Sequence, residues 1–251
     1  MEQPYRTIRT ETVRDVPQRH CGHARTLKAS TLQRRLVAIA HAPKAALLDS
    51  PTTDAGVRSV WRGIRRTVGT AQVSKAALLT DDIKLLVAAL PATPSGVRDR
   101  ALLLLGFAGA FRRSELVALD VSDVQIGREG ATVTLSRSKT DQEGTGAKIG
   151  IPTGQYADSC PVRALSAWLE ALGTDGGPLF RAVDKLGRVR TTRLSGVDVA
   201  RVVKRTATAA GLDPAAYAGH SLRAGLATSA AIAGVEERAI MAQSQTRPEP
   251  H

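Results

Sequence analysis

Between Arg98 and Arg112 the chain carries an apolar run, Ala101–Ala110 (ALLLLGFAGA), with RDR before it and RR after it. The run is too short to cross a bilayer, which takes about 20 residues. It is apolar on every side, which predicts a helix buried all round at the centre of a domain. Aromatic residues make up only 3% of the chain against 43% hydrophobics. Leu, Val, Ile and Ala must therefore fill the interior, and that favours helix-on-helix packing. A chain of 251 residues accommodates one large domain or two modest ones.

The stretches on either side of this run organise the rest. Residues 1–30 are polar, basic and without clear periodicity, and are expected to be a poorly ordered or altered lead-in. Thr31 is a reasonable N-cap for a helix through Leu32, Leu36, Ile39 and Ala40, interrupted near Pro43. A turn at Ser50-Pro51-Thr52-Thr53-Asp54 leads into a second helix. There Val57, Val60, Trp61 and Ile64 form an apolar stripe, and Arg58, Arg62, Arg65 and Arg66 form a basic face. Residues 67–79 lose the helical pattern and read as an interdomain linker. Thr80-Asp81-Asp82 starts a new helix with acids in its first turn. Alternation places the only convincing β region at 123–151, with Val133 and Leu135 on one face. Helices are expected from Pro161 to Leu172, from Ser195 to Ala210, from His220 to Ala233 and again from Val235, with a long irregular stretch over 173–193.

A formal net charge of +12, from 35 Lys and Arg against 23 Asp and Glu, points to a polyanionic partner, most plausibly nucleic acid. Composition alone leaves DNA, RNA, an anionic membrane and a merely solvated basic surface open. The two cysteines, Cys21 and Cys160, are far apart and in no CxxC pair, which fits a reducing cytoplasm. His20-Cys21-Gly22-His23 is followed by no second ligand pair, so no metal site is expected. The N-terminus has charges where a signal peptide needs an apolar stretch. The expectation is a soluble, cytoplasmic protein without a membrane partner.

The residues that carry chemistry are spread over the second half: Arg112 after the apolar run, Lys139 at the end of a strand, and His220 and Arg223 three apart at a helix start, projecting from one face. Singly, each reads as an ion-paired, solvated or packed residue, and Glu115 is at hand for Arg112. In this order, and in the segments RDRALLLLGFAGAFRRSEL (98–116) and GHSLRAGLATSAAIAGV (219–235), they resemble the tyrosine recombinase (phage integrase) family. The likeness reaches back to about residue 31, where ASTLQRRLVAIAHAPKAALLDSPTTD is similar to that family's helical core-binding domain.

The resemblance implies a mainly α protein with a small antiparallel sheet. A partial helical, SAM-like core-binding domain is expected at 31–72, and an α+β catalytic domain at 76–251. It implies that Arg112 and Arg223 hold the non-bridging oxygens of a scissile phosphate, for which planar guanidinium groups are suited. Lys139 would protonate the leaving 5′ oxygen, His220 would assist proton transfer, and Glu115 would support the site. No metal or nucleotide cofactor is implied, since the bond energy is kept in a phosphotyrosine. The implied partners are double-stranded DNA, with the basic face of Arg58, Arg62, Arg65 and Arg66 touching its backbone, and further copies of the chain on that DNA. By register the family's nucleophile falls just past residue 251, and its Gly-His pair falls at Gln245-Thr246. Tyr5, Tyr156 and Tyr217 do not replace the nucleophile. The expectation is therefore a catalytic domain incomplete at its C-terminus and defective in strand cleavage. A catalytically inactive DNA-binding module and a helical transcription regulator are the alternatives.

Overall fold

The chain divides into two units, Met1–Val73 and Ser74–His251. A computed structural model describes residues 27–45, 49–69, 75–135 and 146–245. The lead-in expected over residues 1–30 falls almost wholly outside them, as do Lys139 and Thr246.

In the first unit, α1 (Ala29–Ala45) and α2 (Ala55–Val68) are joined through a 3-10 turn at Pro51–Thr53. Asp54 caps α2, its Oδ1 accepting from the backbone N–H groups of Gly56 and Val57 at 2.8 and 3.1 Å. The first helix starts two residues before Thr31 and continues through Pro43. Pro43 lies in its last turn, where a missing N–H removes one terminal hydrogen bond and does not break the helix. Leu32, Leu36 and Ile39 of α1 line one groove with Val57, Val60, Trp61 and Ile64 of α2, so the expected stripe faces its neighbour. Arg58, Arg62, Arg65 and Arg66 are all exposed.

The second unit begins with an extended strap, residues 75–79, followed by α3 (Thr80–Ala88), α4 (Pro94–Ala108) and the short α5 (Arg113–Ala118). The strap is no loose linker. Ala76 donates to the Ala216 carbonyl at 2.9 Å, Leu78 donates to the Ser221 carbonyl at 3.0 Å, and the Leu78 side chain is fully buried. A Cβ at residue 225 would lie 1.9 Å from the Leu78 carbonyl oxygen, so this close approach requires Gly225. At the start of α3 it is Asp82 that caps, accepting from the Leu79 N–H at 2.9 Å.

The apolar run is the body of α4, with Ala101, Leu102, Leu103 and Leu105 wholly buried. Around it pack α3, α5, α6 (Pro161–Leu172), α7 (Gly196–Ala209) and α8 (Ser221–Ile232). Trp168 of α6 is fully buried and donates from Nε1 to the Leu179 carbonyl at 2.8 Å, which satisfies the one polar atom of its ring. The foot of α4 is held by charge. Buried Asp99 takes two hydrogen bonds from Arg98 (2.9 and 2.7 Å) and a third from Arg205 of α7. Breaking such a buried group by removing one partner costs about 3–5 kcal/mol.

The expected sheet is present: β1 (Val124–Ile126), β2 (Gly130–Leu135) and β3 (Ala147–Pro152), antiparallel in that order. Its inward row is Ala131, Val133 and Leu135, with Ile149 and Ile151 of β3 beside them. A second, two-stranded sheet corrects the irregular reading of 173–193: β4 (Arg181–Val183) pairs antiparallel with β5 (Val189–Arg193). Its residues are exposed or half-buried and mostly charged or polar, so no apolar alternation marks it. Polar contacts hold it instead. Asp184 accepts from the N–H groups of Leu186 and Arg188, both at 2.9 Å. Arg193 reaches the carbonyls of Val117, Ala118 and Leu119 at 2.7–2.9 Å, satisfying the end of α5. The last described helix is α9 (Glu237–Ser244).

Candidate phosphate-binding site

The site is built on the turn between α4 and α5. The Phe111 ring folds back over Gly109, where a Cβ would lie 2.2 Å from it, and the buried ring anchors the turn in the core. Ala110 takes a left-handed backbone, φ +47°, a conformation that costs an L-residue about 1–2 kcal/mol. Arg112 then flanks the start of α5 in an extended conformation. Its support is Glu115, one turn on. Glu115 Oε2 accepts from the Arg112 backbone N–H at 2.8 Å, and Oε1 accepts from Arg112 Nη1 at 2.5 Å. The carboxylate also sits in the first turn of α5, where the helix dipole favours it. Glu115 is thus a buried brace, its side chain 5% exposed, under an arginine whose side chain is 20% exposed.

The second arginine arrives from α8. Its first turn is fixed by Ala218 N–H donating to Ser221 Oγ at 3.0 Å and by Ser221 N–H donating to the Ala218 carbonyl at 2.9 Å. His220 stands exposed at the head of the helix and Arg223 is half-buried one turn on. Arg223 Nη1 donates to the Ala110 carbonyl at 2.9 Å. Arg223 senses the charge of Arg112. Burial lowers the Arg223 pKa, the like charge of Arg112 lowers it further, and Glu115 opposes both. Two guanidinium groups near one carboxylate leave a local positive excess. A guanidinium has five N–H donors in a planar fork, so this pair suits a tetrahedral oxyanion.

Of the residues singled out in the sequence, Arg112, Glu115 and Arg223 come together, and His220 stands on the same first turn as Arg223. Lys139 lies outside the described residues. Arg58, Arg62, Arg65 and Arg66 belong to the other unit, and none of them forms an ion pair among the described residues. Tyr217 packs on the core, and burial, then Asp82 and Asp213, raise its pKa. Tyr156 is 64% exposed and lines a cavity with Lys84, Arg100 and Asp158. Among the described residues no group of three or more His, Cys, Asp and Glu is placed to hold a metal ion, and no helix is long and apolar enough to cross a membrane. Sequence reading missed the Ala110 carbonyl and Gln243, which donates to two backbone carbonyls beside the turn. A backbone carbonyl leaves no mark in a sequence, and a single glutamine leaves a weak one.

Residues 76–245 match the family model described as the phage integrase family. The chain belongs to that family. It is 41% identical over 226 residues to an integrase/recombinase XerD homolog from Selenomonas ruminantium, covering 88% of this chain and 66% of the relative. It spans about half the length of further curated tyrosine recombinases that it matches. Among solved structures, the Tn1549 transposon integrase in complex with a circular intermediate DNA superposes with TM-score 0.60 at 14% identity, over 88% of this chain and 73% of that one. A lambda integrase tetramer bound to a Holliday junction gives TM-score 0.51 at 20% identity, over 90% and 66%. At these identities the structures speak for the fold: a mainly helical phage integrase family protein with small antiparallel sheets.

Proposed function

We propose that this chain binds double-stranded DNA and grips one backbone phosphate with Arg112 and Arg223, as the binding half of a site-specific recombinase or integrase. The observation that carries the reading is the shared brace. Glu115 holds Arg112, Arg223 reaches into the Arg112 turn, and the charge of Arg112 stands close enough to lower the Arg223 pKa. In the family's chemistry, Lys139 would donate a proton to the departing 5′ oxygen and His220 would assist proton transfer. Residues 31–72 would serve as a partial core-binding domain, with Arg58, Arg62, Arg65 and Arg66 on the DNA backbone, and residues 76–251 as the catalytic domain. By analogy with the lambda integrase tetramer on its junction, copies of the chain would assemble on DNA. Neither Tyr156, beside Lys84, Arg100 and Asp158, nor Tyr217, packed on the core near Asp82 and Asp213, is expected to attack a phosphate held by Arg112 and Arg223, so residues 1–251 assayed by themselves are expected to bind without cleaving.

The test is fluorescence anisotropy on duplex DNA at low salt, combined with a nicked suicide duplex. Arg112→Ala and Arg223→Ala are each expected to weaken binding about tenfold or more, since a hydrogen bond to a charged group is worth roughly 1.5–3 kcal/mol. Arg201→Ala, a control on the exposed face of α7, should change it little. Unchanged affinity in both site variants overturns the phosphate grip. A covalent protein–DNA adduct on the nicked substrate overturns the expected lack of cleavage.

A further inference from the structure

The helix α9 has little to hold it by itself. It is 8 residues long, its N-cap residue Glu236 makes no side-chain cap, and Ser244 is its one buried residue. Helices this short are marginal without tertiary support. Besides its packing on α8, the helix is tied across the unit by Gln243. The side-chain amide has two N–H donors and both are used: Nε2 donates to the Ala108 carbonyl at 2.9 Å and to the Gly150 carbonyl at 3.1 Å. Ala108 is the last residue of α4, whose final carbonyls have no intrahelical partner. Gly150 lies in β3, an edge strand of the three-stranded sheet. One amide thus joins α9, the end of α4 and the sheet. Two residues past Ala108, the Ala110 carbonyl takes the hydrogen bond from Arg223. Side chains from α8 and α9 therefore clamp the same turn from which Arg112 emerges.

Resting on the phosphate-grip reading above, we propose that Gln243 is a positioning residue for that site, its paired donation to Ala108 and Gly150 coupling the seating of α9 to the placement of Arg112. It touches no substrate. It acts through the turn, and it makes the grip depend on α9 being docked.

The test uses the full chain with Gln243→Glu, which keeps the side-chain length and sets carboxylate oxygens against two carbonyl oxygens. Hydrogen–deuterium exchange is expected to quicken at residues 106–112 and 237–244 while α6 stays protected, and duplex affinity should fall about tenfold. Lowering the pH from 8 to 5.5 should narrow the gap to the wild type, because a protonated carboxyl regains one donor. In an Arg112→Ala background the same change should cost little further affinity, since residues acting as a unit are non-additive. Gln243→Met, which removes both donors without adding charge, should give the same exchange and affinity pattern at smaller size and without the pH dependence, and serves if the Glu variant folds poorly. Unchanged exchange at 106–112, or an equal affinity loss in both backgrounds, overturns the coupling. If Arg112→Ala alone leaves affinity unchanged while exchange quickens as expected, the phosphate-grip reading fails and the docking role of Gln243 stands.

Discussion

At the scale of single residues, Ala110 is where backbone geometry and chemistry meet. Its carbonyl receives Arg223 at a point where the turn passes through a left-handed conformation, and an alanine bears the strain of it. Strain of this kind persists where the surroundings over-determine the backbone. Ala110→Gly should relieve it, raising stability by up to about 1 kcal/mol after the entropy glycine restores to the unfolded chain. For a chain of this size that corresponds to a rise in Tm of about 2–4 °C, read by differential scanning calorimetry. A fall in Tm would show that the methyl group packs better than the strain costs. Arg112, Glu115, His220 and Arg223 could be singled out in the sequence by their types and order, and the fold brings Arg112, Glu115 and Arg223 together. Ala110 could not, because its contribution is a carbonyl direction. Gln243 was missed for a related reason: its partners are main-chain atoms from two segments far from it in sequence.

At the scale of elements, α7 shows how a cap can be read as a pH-dependent fastening. Ser195 and Asp198 close a capping box. The Ser195 hydroxyl and backbone N–H donate to Asp198 Oδ2 at 2.7 and 2.9 Å, and Asp198 N–H donates back to Ser195 Oγ at 3.3 Å. The Ser195 hydroxyl and then its N–H hold the Asp198 pKa below the ordinary carboxylate value; burial opposes them, and Arg201 adds smaller lowering effects. A carboxyl depressed in the folded state contributes stability that is present above its unfolded pKa, about 3.9. That stability is lost as the pH falls through the lower folded value. Ser195→Ala should cost about 1 kcal/mol at pH 7, and urea titrations should show the deficit shrinking as the pH is taken toward 3. A deficit independent of pH would mean that the cap is held by something other than Asp198. The elements themselves were largely legible. The apolar run named α4, and the alternation at 131–135 named β2. The β4–β5 hairpin escaped because its strands put only Ala182, Val183 and Val189, all half-buried, against the core, too few apolar positions to mark a period of two.

At the scale of the whole molecule, a net charge of +12 is distributed unevenly in its uses. Arg98, Arg112, Arg193 and Arg205 hold carboxylates or carbonyls within the fold. Arg58, Arg62, Arg65 and Arg66 stand exposed on α2. If these four meet DNA phosphates, replacing them together by alanine should reduce the slope of log affinity against log salt by about 2–4, at about 0.9 per phosphate contact. Duplex binding measured across a salt series checks this, and an unaltered slope would leave α2 without a role on the backbone. The charge itself was plain in the sequence. The outward face of α2 was plain too; that Arg193 and Arg205 serve the fold was not, because their carbonyl and carboxylate partners come from distant segments.

The strap at 75–79 bears on where the second unit can be said to begin. Its Leu78 fills the core, and its backbone meets Ser221, which stands between His220 and Arg223. The notch that receives it exists because residue 225 has no side chain. A fragment trimmed to the first residue of α3 would keep every residue of the phosphate site and lose the girder laid across the helix that carries half of it. The natural border of this unit therefore runs upstream of Lys75, inside what reads in the sequence as mere connecting chain.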